Sequence, residues 1–150
     1  IKIPPLEIDA AVDSETTNLN WLEAEKMIEI INALKADTSI VDCPSPNTVA
    51  FCEFLKSKIK VKTELICTNK AERFLAVGAA SIIAKVTRDA EVAKIQTSFK
   101  DNIGSGYPAD PYTKKFIAKH WKEDHGIFRK SWETYKELAR KASQKTLLDV

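Results

Sequence analysis

The run from Ala76 to Asp89, AVGAASIIAKVTRD, permits few arrangements. Apolar positions return at Leu75, Ala79, Ile82, Val86 and Ala90, the spacing of one helix face. Gly78, Ala79 and Ala80 remove side-chain bulk, so a backbone or a second helix can approach closely there. The pattern predicts a helix that begins near Ala71, continues with a break to about Phe99, and turns a buried stripe toward the core. Lys85 and Arg88 add positive charge near one face, and Ser81 adds a hydroxyl.

The elements before this run alternate. Asn18 or Asn20 can cap a helix to about Lys35, with Trp21, Ala24, Ile28, Ile31 and Leu34 as its apolar stripe. Ser39–Asp42 reads as a short strand. Pro44, Ser45, Pro46 and Asn47 supply a turn and cap for a helix to about Lys58, with Phe51, Cys52, Leu55 and Ile59 inward. Val61–Thr68 alternates as a strand. Lys2–Ile8 reads as a short extended segment broken by Pro4 and Pro5. Helices are predicted over Tyr112–Trp121 and Trp132–Ala142. This order predicts an α/β layer followed by a helical region, divided as a core over 1–106 and a loop and helices over 107–150, which the resemblance given below makes the substrate-contacting part. Two strands make a poor sheet face by themselves, so the pattern implies further strands.

With 44% hydrophobic and 29% charged residues, the composition is that of a globular chain. No apolar run approaches the roughly 20 residues of a membrane helix. IKIPPLEID at the start lacks the basic and apolar regions of a signal peptide. Cys43, Cys52 and Cys67 lack the spacing of a disulfide or zinc framework and read as reduced thiols of a cytoplasmic protein. Residues 1–106 hold 13 Lys and Arg against 15 Asp and Glu, whereas 107–150 hold 10 against 6. A basic C-terminal third suits a polyanion or forms a solvated face.

Asp42 ends the first strand, where open α/β sheets place their ligands; it can serve as a metal ligand or a helix cap. Glu72 follows the second strand, where it can oppose a helix N-terminus or join Asp42 around a hard cation such as Mg²⁺. Such a cation activates water against a phosphodiester. Lys70, Arg73, Lys85, Arg88 and Ser81 can contact phosphates. Tyr107, between Gly106 and Pro108, can stack on a sugar and bond a 2′-hydroxyl, or plug the core edge. His120 and His125 read as ordinary surface or cap residues, without a partner pattern.

NLNWLEA (18–24), the IVD strand end (40–42), NKAE (69–72), AVGAASIIAKVTRD, GSGYPADP (104–111) and FRKSW (128–132) stand in the order of one family. The chain resembles ribonuclease HII of the archaeal and eukaryotic-like type over nearly its whole length. The resemblance implies a partial ribonuclease H-like fold with a C-terminal helical region. It implies a nuclease that cuts RNA in RNA/DNA hybrids and 5′ of ribonucleotides embedded in duplex DNA, using Mg²⁺ or Mn²⁺ held by four carboxylates. Asp42 matches the third of these. Glu72 stands where the family usually has Asp, and its extra methylene moves the carboxylate by about 1.5 Å at most. Gly78 replaces a usual Ser. Tyr107 matches the tyrosine that reads the ribonucleotide–deoxyribonucleotide junction. The family's GIDEAGRG motif, with the first two carboxylates, has no counterpart here, and Asp9 in EIDAAVD is rejected as a substitute. The expected chain is therefore an incomplete enzyme, with a non-catalytic hybrid-binding fragment or degenerate relative as the alternative. QKTLLDV at the end resembles a sliding-clamp-binding peptide through Gln144 and Leu147, with Val150 in place of an aromatic, or is a frayed helix end.

Overall fold

The computed structural model describes residues 1–123 and 125–148. The elements are α1 (Pro5–Val12), α2 (Leu19–Leu34), β1 (Thr38–Asp42), α3 (Thr48–Lys58), β2 (Glu64–Thr68), a 3₁₀ turn (Ala71–Arg73), α4 (Leu75–Gln96), α5 (Pro111–His120) and α6 (Glu133–Leu148). The chain forms two compact units, one from Ile1–Lys2 with Ser14–Lys85, the other from Ile3–Asp13 with Val86–Val150.

In the first unit β1 and β2 pair in parallel, with Thr38 opposite Glu64 and Asp42 opposite Thr68. Parallel neighbours need a crossover, and α3 lies within it. Local chemistry sets the helix starts. Asn18 Oδ1 accepts from the backbone N–H groups of Asn20 and Trp21, and Asn47 Oδ1 accepts from that of Ala50. These bonds satisfy donors that a helix N-terminus leaves unpaired. The core joins Ala24, Ile28 and Ile31 of α2 to Val41, Cys43, Phe51 and Leu55. Phe51 and Leu55 are fully buried. Trp21 closes the edge by packing on Phe51 and Phe54, with ring centroids at 6.0 and 4.6 Å.

In the second unit the expected extended start is a helix. Pro4 is extended, as a residue before proline prefers. Pro5 takes the first helical position, where its fixed φ suits the helix and its missing N–H costs nothing. Phe99, Phe116 and Phe128 pack together, with Phe99 edge-on to Phe116 at 5.0 Å. Tyr135 Oη donates to the carbonyl of Trp121 at 3.1 Å.

Helix α4 begins in the first unit and ends in the second. It forms as the periodicity predicts, after a break at Phe74, yet none of its 22 residues is buried. Leu75, Ile82 and Val86, three members of the predicted inward stripe, are 89, 64 and 63% exposed. Periodicity identified the helix correctly; the expectation that its stripe is buried is not met, because no layer among the described residues covers it.

Candidate functional site

Asp42 and Glu72 lie at the ends of neighbouring strands. Asp42 closes β1, and its Oδ1 accepts the backbone N–H of Ala71 at 3.0 Å. Glu72 is the next residue, in the 3₁₀ turn that follows β2. The bond orients the Asp42 carboxylate and leaves its second oxygen for another partner. Both carboxylates are exposed. They offer hard anionic oxygen, the donor that Mg²⁺ and Mn²⁺ take. Among the described residues no third carboxylate, His or Cys gathers with them into a cluster. The donor type therefore fits such a cation, and the donor number is short of the four carboxylates the resemblance implies.

Asn69, which the sequence reading passed over, holds this end of the sheet together. Its Nδ2 donates to the carbonyls of Cys43 and Ser45, and its Oδ1 accepts from Thr48 Oγ1. The signal for it was its place between a strand end and the turn that carries Glu72. Lys70 sits in the left-handed region at φ 55°, which lets the chain reverse sharply into that turn. Arg73 donates to Thr68 Oγ1 at 3.2 Å. Lys85 is exposed on α4. Ser81 Oγ donates to the Gly78 carbonyl at 3.0 Å, so it faces solvent with acceptor capacity rather than a free proton. Cys43 is buried, Cys52 and Cys67 are half-buried, and all three are free; burial, with Cys43 and Cys52 nearby, pushes the Cys67 thiol up to about 12.

Arg88 and Tyr107 belong to the second unit, and there they meet. The Arg88 guanidinium carbon lies 3.8 Å from the Tyr107 ring centroid, a cation–π stack. Its Nη1 donates to the Ser105 carbonyl at 2.6 Å. The Tyr107 ring stays 47% exposed, so it does not plug the core. Side chains of α5 hold the loop. Thr113 Oγ1 donates to the Ile103 carbonyl and accepts from Gly106 N–H, while the N-capping Asp110 accepts from Ser105 and Tyr112 N–H. These donations, that of Ser105 first, hold the Asp110 carboxyl below its usual range. Gly104 and Gly106 have φ of 72° and 73°, and a Cβ on Gly104 would stand 2.9 Å from Thr113 N.

Asp9 belongs to the second unit and is tied to the FRKSW segment. It is 8% exposed and accepts from Lys130 N–H, Ser131 N–H and Ser131 Oγ at 2.8, 3.0 and 2.6 Å. His120 and His125 are not isolated surface groups, which corrects the sequence reading. His120 Nδ1 and His125 Nε2 both meet Glu123 Oε2, at 2.8 and 2.7 Å. Gln144 is exposed on α6, while the side chain of Leu147 and all of Val150 lie outside the described residues.

A parallel strand pair with carboxylates at its ends, followed by helices, defines an α/β protein of the ribonuclease H-like kind. A crystal structure of ribonuclease H2 from Pyrococcus horikoshii superposes with a TM-score of 0.80 at 34% identity, over 93% of this chain and 66% of that one. The structure of a PCNA:RNase HII complex from Archaeoglobus fulgidus gives 0.77 at 27% identity, over 92 and 66%. The Ribonuclease HII family model matches residues 3–135, and the chain belongs to that family. Curated ribonucleases HII of Thermococcus sibiricus and Methanococcus maripaludis are 36 and 40% identical over 87 and 96% of this chain. The chain spans 60 and 63% of the length of those two relatives.

Proposed function

We propose that this chain carries the substrate-holding part, and two of the carboxylates, of a metal-dependent endoribonuclease. Its substrates are RNA in RNA/DNA hybrids and ribonucleotides embedded in duplex DNA, cut on their 5′ side. The observation that carries this reading is the half-exposed Tyr107 ring stacked on Arg88 in a braced loop. A ring so fixed can stack on a sugar and offer its hydroxyl to a 2′-OH, the group that separates RNA from DNA. Arg88, Lys85 and Lys70 supply positive charge for phosphates, which positions a duplex without reading its sequence. Ser81 can contact a phosphate after releasing Gly78.

Asp42 and Glu72 would hold Mg²⁺ or Mn²⁺, which when bound supplies a polarised water for attack on the phosphodiester. The Ala71 N–H fixes the Asp42 carboxylate before any cation arrives. Further carboxylates are required, because two hard ligands leave a catalytic cation loosely held. Gln144 and Leu147 are the proposed contacts to a sliding clamp, supported by the A. fulgidus PCNA complex.

Two measurements test this. The chain should bind a duplex with one ribonucleotide more tightly than all-DNA duplex, with affinity falling as salt rises; Tyr107→Ala should abolish the difference. Equal affinity of the unaltered chain for both duplexes overturns the substrate assignment. With Mn²⁺ or Mg²⁺ and an added segment bearing a GIDEAGRG-type motif, cleavage 5′ of the ribonucleotide should appear and Asp42→Asn should abolish it. No cleavage under those conditions leaves a binding module and overturns the catalytic half.

A further inference from the structure

We propose that His120, Glu123 and His125 form a three-ligand site for a borderline-soft divalent cation of the zinc class, separate from the strand-end carboxylates. One ligand atom from each lies within 4.8 Å of the others. His120 closes α5, and the chain returns within five residues as His-x-x-Glu-x-His. Two imidazoles and one carboxylate are ligands of zinc, whereas Mg²⁺ prefers oxygen alone.

The surroundings are those of a metal-binding histidine. The other nitrogen of His120, Nε2, meets Asp101 Oδ2 at 2.8 Å. Lys119 Nζ in turn donates to both oxygens of Asp101, at 2.9 and 2.7 Å. A carboxylate behind the imidazole fixes its tautomer and raises its basicity toward a metal. Phe99 stands edge-on to both imidazoles, at 5.4 and 4.9 Å, and Phe116 lies 4.6 Å from His120. These rings wall one side of the cluster. The His120 side chain is 12% exposed, whereas those of His125 and Glu123 are 39 and 51% exposed, which leaves an entry path.

Without a cation, protons do the joining. Carboxylates only accept, so His120 must carry a proton on each nitrogen to bond Glu123 and Asp101 together. These bonds, that to Glu123 first, raise the His120 pKa against the opposing effect of burial. On binding, His120 gives up its Nδ1 proton and keeps Nε2–H on Asp101. His125 would offer Nε2, the nitrogen that faces Glu123. Metal binding displaces a proton from a ligand such as His120, so protons should be released on binding. The site would tie the end of α5 to the segment that leads into FRKSW.

Titration of the full chain with Zn²⁺ in excess Mg²⁺, followed by calorimetry and by the visible absorption of Co²⁺, tests this. One equivalent should bind, with release of protons and a rise in Tm. Asp101→Asn should weaken binding by about 10- to 100-fold, and His125→Ala and Glu123→Gln should remove the stoichiometric phase. Glu123 is half exposed, so its Gln variant should keep the fold, verified by circular dichroism. No stoichiometric binding overturns the proposal. So does binding unchanged in both variants, which would place the ion on other donors such as the three thiols.

Discussion

Helix α3 runs for 11 residues and buries Phe51 and Leu55 completely, whereas α4 runs for 22 and buries none. Both carry apolar positions at helical spacing. The difference lies in what each meets. α3 bridges two paired strands and faces α2, so its stripe finds Ala24, Ile28 and Val41. The stripe of α4 includes Leu75, Ile82 and Val86, and all three remain largely in water. Helical periodicity therefore reports a capacity for burial, and the tertiary partner decides whether it is realised.

The largest expected effect exploits that contrast. Phe51→Ala should cost about 3–5 kcal/mol, the range for emptying a fully packed aromatic site. Ile82→Ala should cost under about 0.5 kcal/mol, as for a surface change. Urea titrations of the two variants compare them directly. Equal losses would break the contrast and show that α4 is covered in solution.

Asp9→Ala comes next. It removes the acceptor of the Lys130 and Ser131 N–H groups in a part-buried place, at about 1–2 kcal/mol. The pH dependence follows from the charge. Burial pushes the Asp9 carboxyl up; donation from Ser131 and Lys130, with Arg129 nearby, outweighs it and leaves the carboxyl below its usual range. A depressed carboxylate stabilises the fold above its ordinary pKa of about 3.9 and loses that contribution as pH falls through the folded value. The Tm gap between the unaltered chain and Asp9→Ala should stay constant from pH 7 to about pH 5 and close at lower pH. A gap that widens in acid would contradict the assignment.

Three glycines in the second unit give a graded test. Gly104, Gly106 and Gly126 all have positive φ, and any side chain is strained there. A Cβ on Gly104 meets backbone at 2.9 Å, one on Gly106 meets the mobile end of Arg88 at 2.8 Å, and one on Gly126 meets nothing within 4 Å. Gly104→Ala should cost about 2 kcal/mol or more, and Gly126→Ala about 1 kcal/mol. Gly106→Ala should fall between them in stability while displacing Arg88 from Tyr107. Its signature should be a lost preference for ribonucleotide-containing duplex, measured beside the Tm. An equal loss of preference in Gly126→Ala would detach that readout from the Arg88–Tyr107 contact.

The parts legible in the sequence were those that depend on neighbours along the chain. Asn18 and Asn47 cap helices through bonds to residues two or three positions away; Asn47 was readable, and Asn18 was one of two candidates with Asn20. Pro5 was misread because proline breaks a strand and also begins a helix, and only the residues after it decide. The place of Asp42 at the end of β1 follows from its apolar run, whereas its bond to Ala71 joins residues 29 positions apart. The histidine cluster was missed for the same reason. Its His-x-x-Glu-x-His spacing lies in plain view, but Asp101, which orients His120, is 19 residues distant. The Arg88–Tyr107 stack likewise became visible only once the loop returned to α4.

The smallest expected effect is the most informative about α4. Ile82→Ser replaces an exposed apolar side chain by a small polar one, at a position with little packing to lose. In dilute chain its Tm should match that of the unaltered protein, because removing area that stays in water in both states changes little beyond helix propensity. The measurement should then be repeated as concentration rises. Exposed apolar residues on one face favour association, so the unaltered chain should gain mass in sedimentation while Ile82→Ser remains smaller. A difference in Tm that grows with concentration would mean that α4 finds its missing cover in another molecule. A large, concentration-independent loss would place that cover within the chain itself, and the contrast with α3 would disappear.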